Sequence, residues 1–341
     1  MTGKKRWIGA LLSLLCVCFL LFPCVPLAAS AEQVSDDALI PGGMAFGIRF
    51  YAKGAIVIGI ADVETAGGTR SPARDAGLQA GDIITGAGGT EITDADALLA
   101  IVKGCGGQKL RLTYLRDGAE KTAELLPVCD RTTNEYRLGV WVRDSTAGIG
   151  TITFIDAKTG AFGGLGHGIT DAATGQLMPF LKGTVADVRI TGVRKGKKNL
   201  PGELKGEFGT VTVGVLNSNT EVGVFGRFDT LPAPLSSPLP LGEIRTGKAT
   251  VRTSASGKVR DYEIEIEELY RGSGDTKNFL IHVTDPALLS LTGGIVQGMS
   301  GSPILQNGKL VGAVTHVLLD DPTRGFGIHI MNMLKNSENM A

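Results

Sequence analysis

Ser300 is the residue of this sequence best placed to act as a nucleophile. It lies between glycines in residues 297–303, and residues 304–314 are typical of a strand, an Asn-Gly turn and a second strand. A tight glycine-rich turn that enters a hairpin can expose a hydroxyl and direct backbone N–H groups towards one point. A serine nucleophile with an oxyanion hole requires this arrangement, and the N–H groups of Gly298 and Ser300 are the geometric candidates for the hole.

A serine hydroxyl needs a base, and His167 is the histidine whose surroundings favour that role. It lies among glycines in residues 163–169, where it has little apolar surface to pack on. The alternative is an ordinary loop histidine in a β-rich protein. Only a folded domain can bring His167 to Ser300, 133 residues further on. The remaining histidines and a nearby serine are interpreted as structural: His282, His316, His329 and Ser302.

The segments around Ser300 and His167 resemble motifs of known protein families. Residues 298–303 are similar to the Gly-x-Ser-Gly-x-Pro signature of trypsin-like serine proteases. Together with residues 165–167, 314–317 and 321–328, they make the chain resemble the stage IV sporulation protein B peptidase of endospore-forming bacteria. The resemblance covers residues 40–335. It implies a mainly β fold, with a trypsin-like β-barrel peptidase domain over residues 137–335.

The resemblance also implies an acid that fixes the tautomer of His167. The sporulation peptidase family places this acid at Asp285, 15 residues before Ser300. The spacing of a generic trypsin-like barrel instead favours Asp229, which is kept in reserve. The other acidic candidates are Asp171 and Asp320 or Asp321.

Residues 39–127 resemble a bacterial PDZ domain, an α+β unit that precedes the peptidase domain. The resemblance rests on residues 71–73, 76–78 and 81–84 and on a helix expected after Gly88-Gly89. The glycine-containing segment Gly43, Met44, Ala45, Phe46 and Gly47 is predicted to bind the carboxylate of a peptide or C-terminal tail through free backbone N–H groups. The alternative is a hairpin start with ordinary turn glycines. Residues 131–136 are interpreted as a linker.

The N-terminus predicts export. Three basic residues precede an apolar run and an Ala-Ser-Ala sequence, so residues 1–31 are interpreted as a signal peptide, with an uncleaved membrane anchor as the alternative. Without this segment the chain has a net charge of −3, and no basic cluster predicts a nucleic-acid partner. No Cys/His cluster has zinc spacing, so neither a metal nor a cofactor is predicted.

The resemblance implies an exported serine endopeptidase of sporulation signalling. Its substrate is expected to be a membrane-associated regulatory protein in the space around the forespore, whose cleavage activates an intramembrane protease and late sigma factor processing. Self-cleavage, with a second copy as partner in trans, is also implied. The alternative is a non-catalytic PDZ scaffold that binds membrane-protein tails. A general quality-control protease is less favoured, because such enzymes usually carry the PDZ domain after the catalytic domain.

Overall fold

The computed structural model describes residues 38–171, 175–270 and 276–337. Strands dominate these ranges, so the mainly β prediction is confirmed. In chain order they are β1 (Ile40–Pro41), β2 (Ala45–Ile60), β3 (Val63–Thr65), β4 (Gly68–Arg70), β5 (Ile83–Ala87), β6 (Thr90–Glu91), β7 (Leu110–Arg116), β8 (Ala119–Leu125), β9 (Val128–Cys129), β10 (Tyr136–Arg137), β11 (Val140–Ile155), β12 (Ala161–Gly164), β13 (Phe180–Arg194), β14 (Glu203–Thr220), β15 (Gly223–Phe228), β16 (Gly247–Thr253), β17 (Arg260–Leu269), β18 (Phe279–Val283), β19 (Pro303–Gln306), β20 (Lys309–Val317) and β21 (Arg324–His329). The helices of the described ranges are α1 (Pro72–Asp75), α2 (Ala95–Gly104), α3 (Pro286–Thr292) and α4 (Ile330–Ser337).

Strand pairing within the described ranges forms two closed rings of six strands. The first ring runs β2-β11-β12-β15-β14-β13 and returns to β2. Its interior is filled by apolar side chains that include Phe46, Phe50, Ile152 and Phe162. The second ring is a closed barrel in the order β16-β17-β18-β21-β20-β19 and has a core of its own.

The hairpin after Ser300 forms as predicted. β19 and β20 pair in antiparallel fashion around Asn307 and Gly308, whose φ angles are 53° and 73°. Positive φ at both central turn residues matches the right-handed twist of the flanking strands. The Asn-Gly turn therefore fixes the register of the strand that leads away from Ser300.

The first ring includes residues that were predicted to belong to the PDZ domain, and this corrects the predicted boundary at residue 39. The first half of β2 pairs with β11 and β13, and its residues Phe46, Ile48 and Phe50 are buried in the core of the first ring. Beyond Gly54, the same strand contributes Ala55 and Val57 to a separate core, whereas Ile56 between them still packs in the core of the first ring. The boundary therefore lies close to residue 54.

The PDZ unit is an insertion between two paired strands of the first ring. Its core joins β5, β7 and β8 to α2 and closes on Val140 and Val142 at the start of β11. Residues 45–51 pair with residues 145–151 inside the first ring, and residues 56–60 pair with residues 140–143 inside the PDZ unit. The insertion therefore spans about residues 54–143, and the first ring continues on both sides of it.

The predicted carboxylate-binding loop does not form at Gly43–Gly47. The Gly43 N–H donates to the Ile152 carbonyl at 2.8 Å, and the Ala45 N–H donates to the Ser254 hydroxyl at 2.9 Å. Phe46 is buried, and a Cβ on Gly47 would meet the ring of Phe208 at 2.5 Å. The Met44 carbonyl accepts from the Ile152 N–H at 3.0 Å. These backbone groups are bonded within the protein and are not free to bind a carboxylate.

The leader predicted over residues 1–31 lies outside the described residues. Within the described ranges, no helix is both long enough and apolar enough to cross a membrane.

Candidate active site

A cleft of about 690 Å³ between the two rings brings Ser300 and His167 together. One wall carries residues 146–149 of β11 and the loop of His167, and the other carries residues 295–298 and the end of β20. The sequence prediction that a folded domain unites these two side chains agrees with this placement.

Glycines shape the turn that carries Ser300. Gly298 and Gly301 have φ angles of 96° and 91°, which disfavour residues with a side chain. A Cβ on Gly301 would also overlap the carbonyl oxygen of Thr151. The turn therefore packs directly against β11 of the other ring, and this close approach places Ser300 in the cleft.

Two buried threonines of β11 hold the same turn. The Thr151 hydroxyl donates to the Gly298 carbonyl at 2.7 Å, and the Thr153 hydroxyl donates to the Gly301 carbonyl at 2.8 Å. The Thr151 N–H donates to the Ser300 carbonyl at 3.0 Å. The carbonyls of Gly298, Ser300 and Gly301 are thereby all bonded to β11.

Two N–H groups of the same turn are not used in these bonds. Among the described residues, neither the Gly298 N–H nor the Ser300 N–H donates to a protein acceptor. The Ser300 hydroxyl donates to the Thr315 carbonyl at 3.0 Å. Two unpaired N–H groups beside a serine oxygen are the donors that an oxyanion requires.

The loop of His167 is tied to the β14–β15 hairpin. The Gly168 N–H donates to the Glu221 carbonyl at 3.2 Å. The side chain of Asn219 accepts from the Ile169 N–H at 2.8 Å and donates to the Ile169 carbonyl at 2.9 Å. These bonds across about 50 residues fix the loop on the first ring. Asn219 was not singled out from the sequence.

The ring of His167 has the tautomer of a general base. Its Nδ1 lies 2.9 Å from the Gly168 carbonyl, which can only accept, so the proton is on Nδ1 and Nε2 keeps its lone pair. Burial lowers the pKa of His167 below its ordinary value of 6.5, and the bond to Gly168 opposes this in part. His167 is therefore neutral near pH 7.

His316 also lines the cleft, although its apolar surroundings in sequence favoured a structural role. Its ring centroid lies 5.1 Å from that of His167, with the planes inclined by 37°. Burial, followed by the charges of His167 and Lys277, lowers its pKa to about 4. Sequence alone carries no signal for this placement, because it depends on an irregular strand pairing.

The structure does not bring Asp285 to His167. Asp285 caps α3, with its carboxylate accepting from the N–H groups of Ala287 at 2.8 Å and Leu288 at 3.0 Å. It also accepts from the Glu263 N–H at 3.3 Å. The role of triad acid therefore stays a prediction from the resemblance. Asp229 is exposed and also lies outside the residues that line the cleft.

Apart from the two neutral imidazoles, the described residues that line the cleft carry no ionisable side chain. Apolar residues cover both walls: Ile48, Phe50, Ile149, Leu165, Ile169, Ile295, Val296, Val317 and Leu319. In the described part of the chain, no three His, Cys, Asp or Glu side chains are grouped to hold a metal ion.

A second groove lies on the PDZ unit, between α2 and the first residues of β11. It has a volume of about 350 Å³, and Leu99 of α2 and Trp141 of β11 are exposed at its walls. Residues 140–143 pair with β2 on one edge, and no described strand pairs with their other edge. Gly139 has a φ of 76°, and a Cβ there would meet the Ala61 carbonyl at 2.5 Å. Residues 131–136, which were predicted as a linker, thus lead into this groove, which is of a size to bind a peptide.

Comparison with protein families identifies the chain. The family model for the SpoIVB peptidase S55 matches residues 134–334, which include Ser300 and His167. The chain belongs to the SpoIVB peptidase S55 family. It is a serine endopeptidase with a trypsin-like fold of two six-stranded rings. A PDZ domain model matches residues 65–116, before the peptidase match, as the resemblance implied.

Solved structures similar to this S55 peptidase are distant. The Rv3671c protease from M. tuberculosis, in its active form, is 17% identical, with coverage of 57% of this chain and 75% of the other and a TM-score of 0.36. The HtrA-type protease AlgW with decapeptide is 14% identical, with coverage of 62% and 55% and a TM-score of 0.34. The PDZ domain of the SdrC-like protein from Listeria monocytogenes is 19% identical, with coverage of 26% and 87% and a TM-score of 0.22. No curated protein matches the chain.

Proposed function

We propose that Ser300 is the nucleophile and His167 the general base of this endopeptidase. The observation that carries the proposal is their position in one cleft, together with the N–H groups of Gly298 and Ser300, which have no protein acceptor in the described part of the chain. A nucleophile, a base in the acceptor tautomer and two donors for an oxyanion form the constellation required for acyl transfer.

The resting hydroxyl must turn before it reacts. Ser300 donates to the Thr315 carbonyl, and rotation about its Cα–Cβ bond transfers this hydrogen bond to Nε2 of His167. Ser300 Oγ then bonds to the substrate carbonyl carbon while its proton passes to His167. The Gly298 and Ser300 N–H groups stabilise the oxyanion, and His167 returns the proton to the leaving amine. Water hydrolyses the acyl-enzyme by the same steps in reverse.

The cleft favours substrate segments without charge near the scissile bond. A charged side chain that entered it would lose hydration, and the described lining offers no opposite charge. Apolar side chains would instead be buried against the walls. Leu319, which is 56% exposed at the rim, is suited to contact such a substrate.

Sporulation signalling is the biological setting that we propose on the strength of the family. The substrate would be a membrane-associated regulatory protein in the space around the forespore, and its cleavage would activate an intramembrane protease and late sigma factor processing. Self-cleavage would follow the same chemistry. Export through residues 1–31, with an uncleaved anchor as the alternative, would bring the enzyme to that space.

The PDZ groove is the proposed docking site for a peptide or C-terminal tail. An extended peptide can add to a free strand edge through main-chain hydrogen bonds, and the side chains of α2 would line its other side. The peptide would come from the substrate, a partner or a second copy of the chain.

Kinetics of single and double variants test the catalytic pair. Ser300→Ala and His167→Ala should each lower hydrolysis of an activated ester by several orders of magnitude, because removal of one member disables the unit. The double variant should be little slower than either. Losses that multiply in the double variant would show that the two residues act separately.

A further inference from the structure

A β-bulge places His316 in the catalytic cleft. The pairing of β20 with β21 shifts register between Val314 and His316, which leaves Thr315 as an extra residue. Bulges redirect side chains and are frequent beside active sites. The Thr315 hydroxyl donates to the Thr276 carbonyl at 2.9 Å and lies 3.2 Å from the Phe326 carbonyl of β21, and these contacts hold the bulge. The Thr315 carbonyl accepts from Ser300, and the next side chain, His316, lines the cleft.

The ring of His316 lies close to the ring of His167. The centroids of His316 and His167 are 5.1 Å apart and the planes are tilted by 37°. Nδ1 of His316 is buried and has no hydrogen-bond partner within the described residues. Within the described residues, the ring contact of His316 is the one with His167.

His316 remains neutral when its neighbour is protonated. Its pKa is lowered to about 4 by burial and then by the two positive charges that act on it, those of His167 and Lys277. A cation within about 6 Å of an aromatic ring centroid is attracted by the ring face. In the described ranges, the hydrogen-bond partner of His167 is the uncharged Gly168 carbonyl, and no carboxylate contacts its ring.

We propose that His316 is a positioning residue, whose neutral ring holds His167 in place and stabilises the imidazolium that forms during acylation. In that step the proton of Ser300 moves to Nε2 of His167 as Oγ bonds to the carbonyl carbon. It leaves with the amine when the C–N bond breaks. The imidazolium exists between these events, and the face of His316 stabilises it there. The inference rests on the proposed roles of Ser300 and His167.

Three variants of the full chain test the proposal. His316→Phe keeps an aromatic face without nitrogens, His316→Leu keeps apolar volume without a face, and His282→Phe is a control on a histidine outside the cleft. We expect His316→Leu to slow acylation by a small activated ester by about threefold to thirtyfold, the range expected for a cation–π contact. His316→Phe should restore most of the rate, and His282→Phe should not change it.

The second readout is NMR titration of the histidine Cε1 carbons, which does not require catalysis. With four histidines in the chain, the signal of His167 can be assigned by substitution. The pKa of His167 should fall in His316→Leu and recover in His316→Phe. Equal rates together with equal His167 titrations in both His316 variants would overturn the proposal. A folded His316→Phe variant that is as slow as His316→Leu would also overturn it. If the ester reacts equally with Ser300→Ala, the catalytic assignment fails, whereas the titration still reports on the ring contact.

Discussion

Thr151 binds the nucleophile turn from the opposite ring, with its hydroxyl 2.7 Å from the Gly298 carbonyl and its N–H 3.0 Å from the Ser300 carbonyl. The two contacts fix the 298–299 and 300–301 peptide groups of the turn that carries Ser300. The N–H groups of Gly298 and Ser300 belong to the adjoining peptide groups and have no protein acceptor among the described residues. The buried side chain of Thr151 thus links the first ring to the turn that carries Ser300.

Replacement of Thr151 by valine should impair catalysis more than substrate binding. The change removes the donor to a buried carbonyl and loosens the oxyanion donors, so kcat should fall by about tenfold to a hundredfold with a small change in KM. Thr151→Ser, which keeps the hydroxyl, is the matched control. Steady-state kinetics that show equal kcat in all three proteins would refute the role of Thr151.

Activity should persist below pH 6.5, the ordinary pKa of histidine. Catalysis needs neutral His167, and burial lowers the pKa of this group, so the acidic limb of kcat/KM should lie below 6.5. A limb above that value, measured with an uncharged ester, would contradict the buried environment.

Stability should decrease over the same acidic range. His316 has a pKa of about 4 in the fold, whereas an unfolded histidine titrates near 6.5. Between these values the unfolded chain binds the extra proton, so the free energy of unfolding falls as the pH is lowered from 6.5 towards 4. Thermal unfolding should show a smaller acid-induced loss in His316→Phe than in the wild type. An identical loss in both proteins would exclude His316 as its source.

The insertion of the PDZ unit should allow its removal without loss of the peptidase fold. Tyr51 and Ser145 are register partners, so an Asn-Gly turn in place of residues 53–143 can close the β2–β11 hairpin. This variant should fold and turn over a small ester, but it should cleave a protein substrate poorly. Deletion of residues 40–126 should instead prevent folding, because it removes Phe46, Ile48 and Phe50 from the core. Circular dichroism and ester kinetics would compare the two deletion variants. If the Asn-Gly variant were unfolded, the interpretation of the PDZ unit as an insertion would be wrong.

Local features of the sequence predicted the turns around Ser300 and His167 well. The glycines around Ser300 and His167 and the Asn-Gly turn at residue 307 impose backbone angles that depend on few neighbours. The helix of the PDZ unit was also predicted, and it is capped by Asp94, whose carboxylate accepts from the Ala97 N–H.

The features that could not be predicted from the sequence depend on pairing between segments far apart in the chain. Buried residues on both sides of Gly54 follow one another along a single strand, so no local signal separates the core that contains Phe50 from the core that contains Val57. The position of His316 depends on a bulge against β21 in the same way. The peptide-sized groove was missed because residues 137–142 gain their neighbours from α2 and β2, which lie far earlier in the chain.

A charge at the rim of the cleft should change substrate preference. Leu319→Asp places a carboxylate where the lining is uncharged, so relative kcat/KM should shift by about tenfold towards peptides with Lys or Arg beside the scissile bond. Val259→Asp is the matched control on an exposed residue outside the cleft. A preference for charged peptides in the wild-type enzyme would contradict the proposed substrate class.

Labelling with a serine-directed phosphonate, followed by mass spectrometry of the digested protein, tests the central claim most directly. The account predicts one phosphonate on Ser300 in the wild type, very slow labelling in His167→Ala and none in Ser300→Ala, with the fold retained in all three. A phosphonate on another residue, or equal labelling of the His167→Ala variant and the wild type, would contradict the assignment of Ser300 and His167 as the catalytic pair.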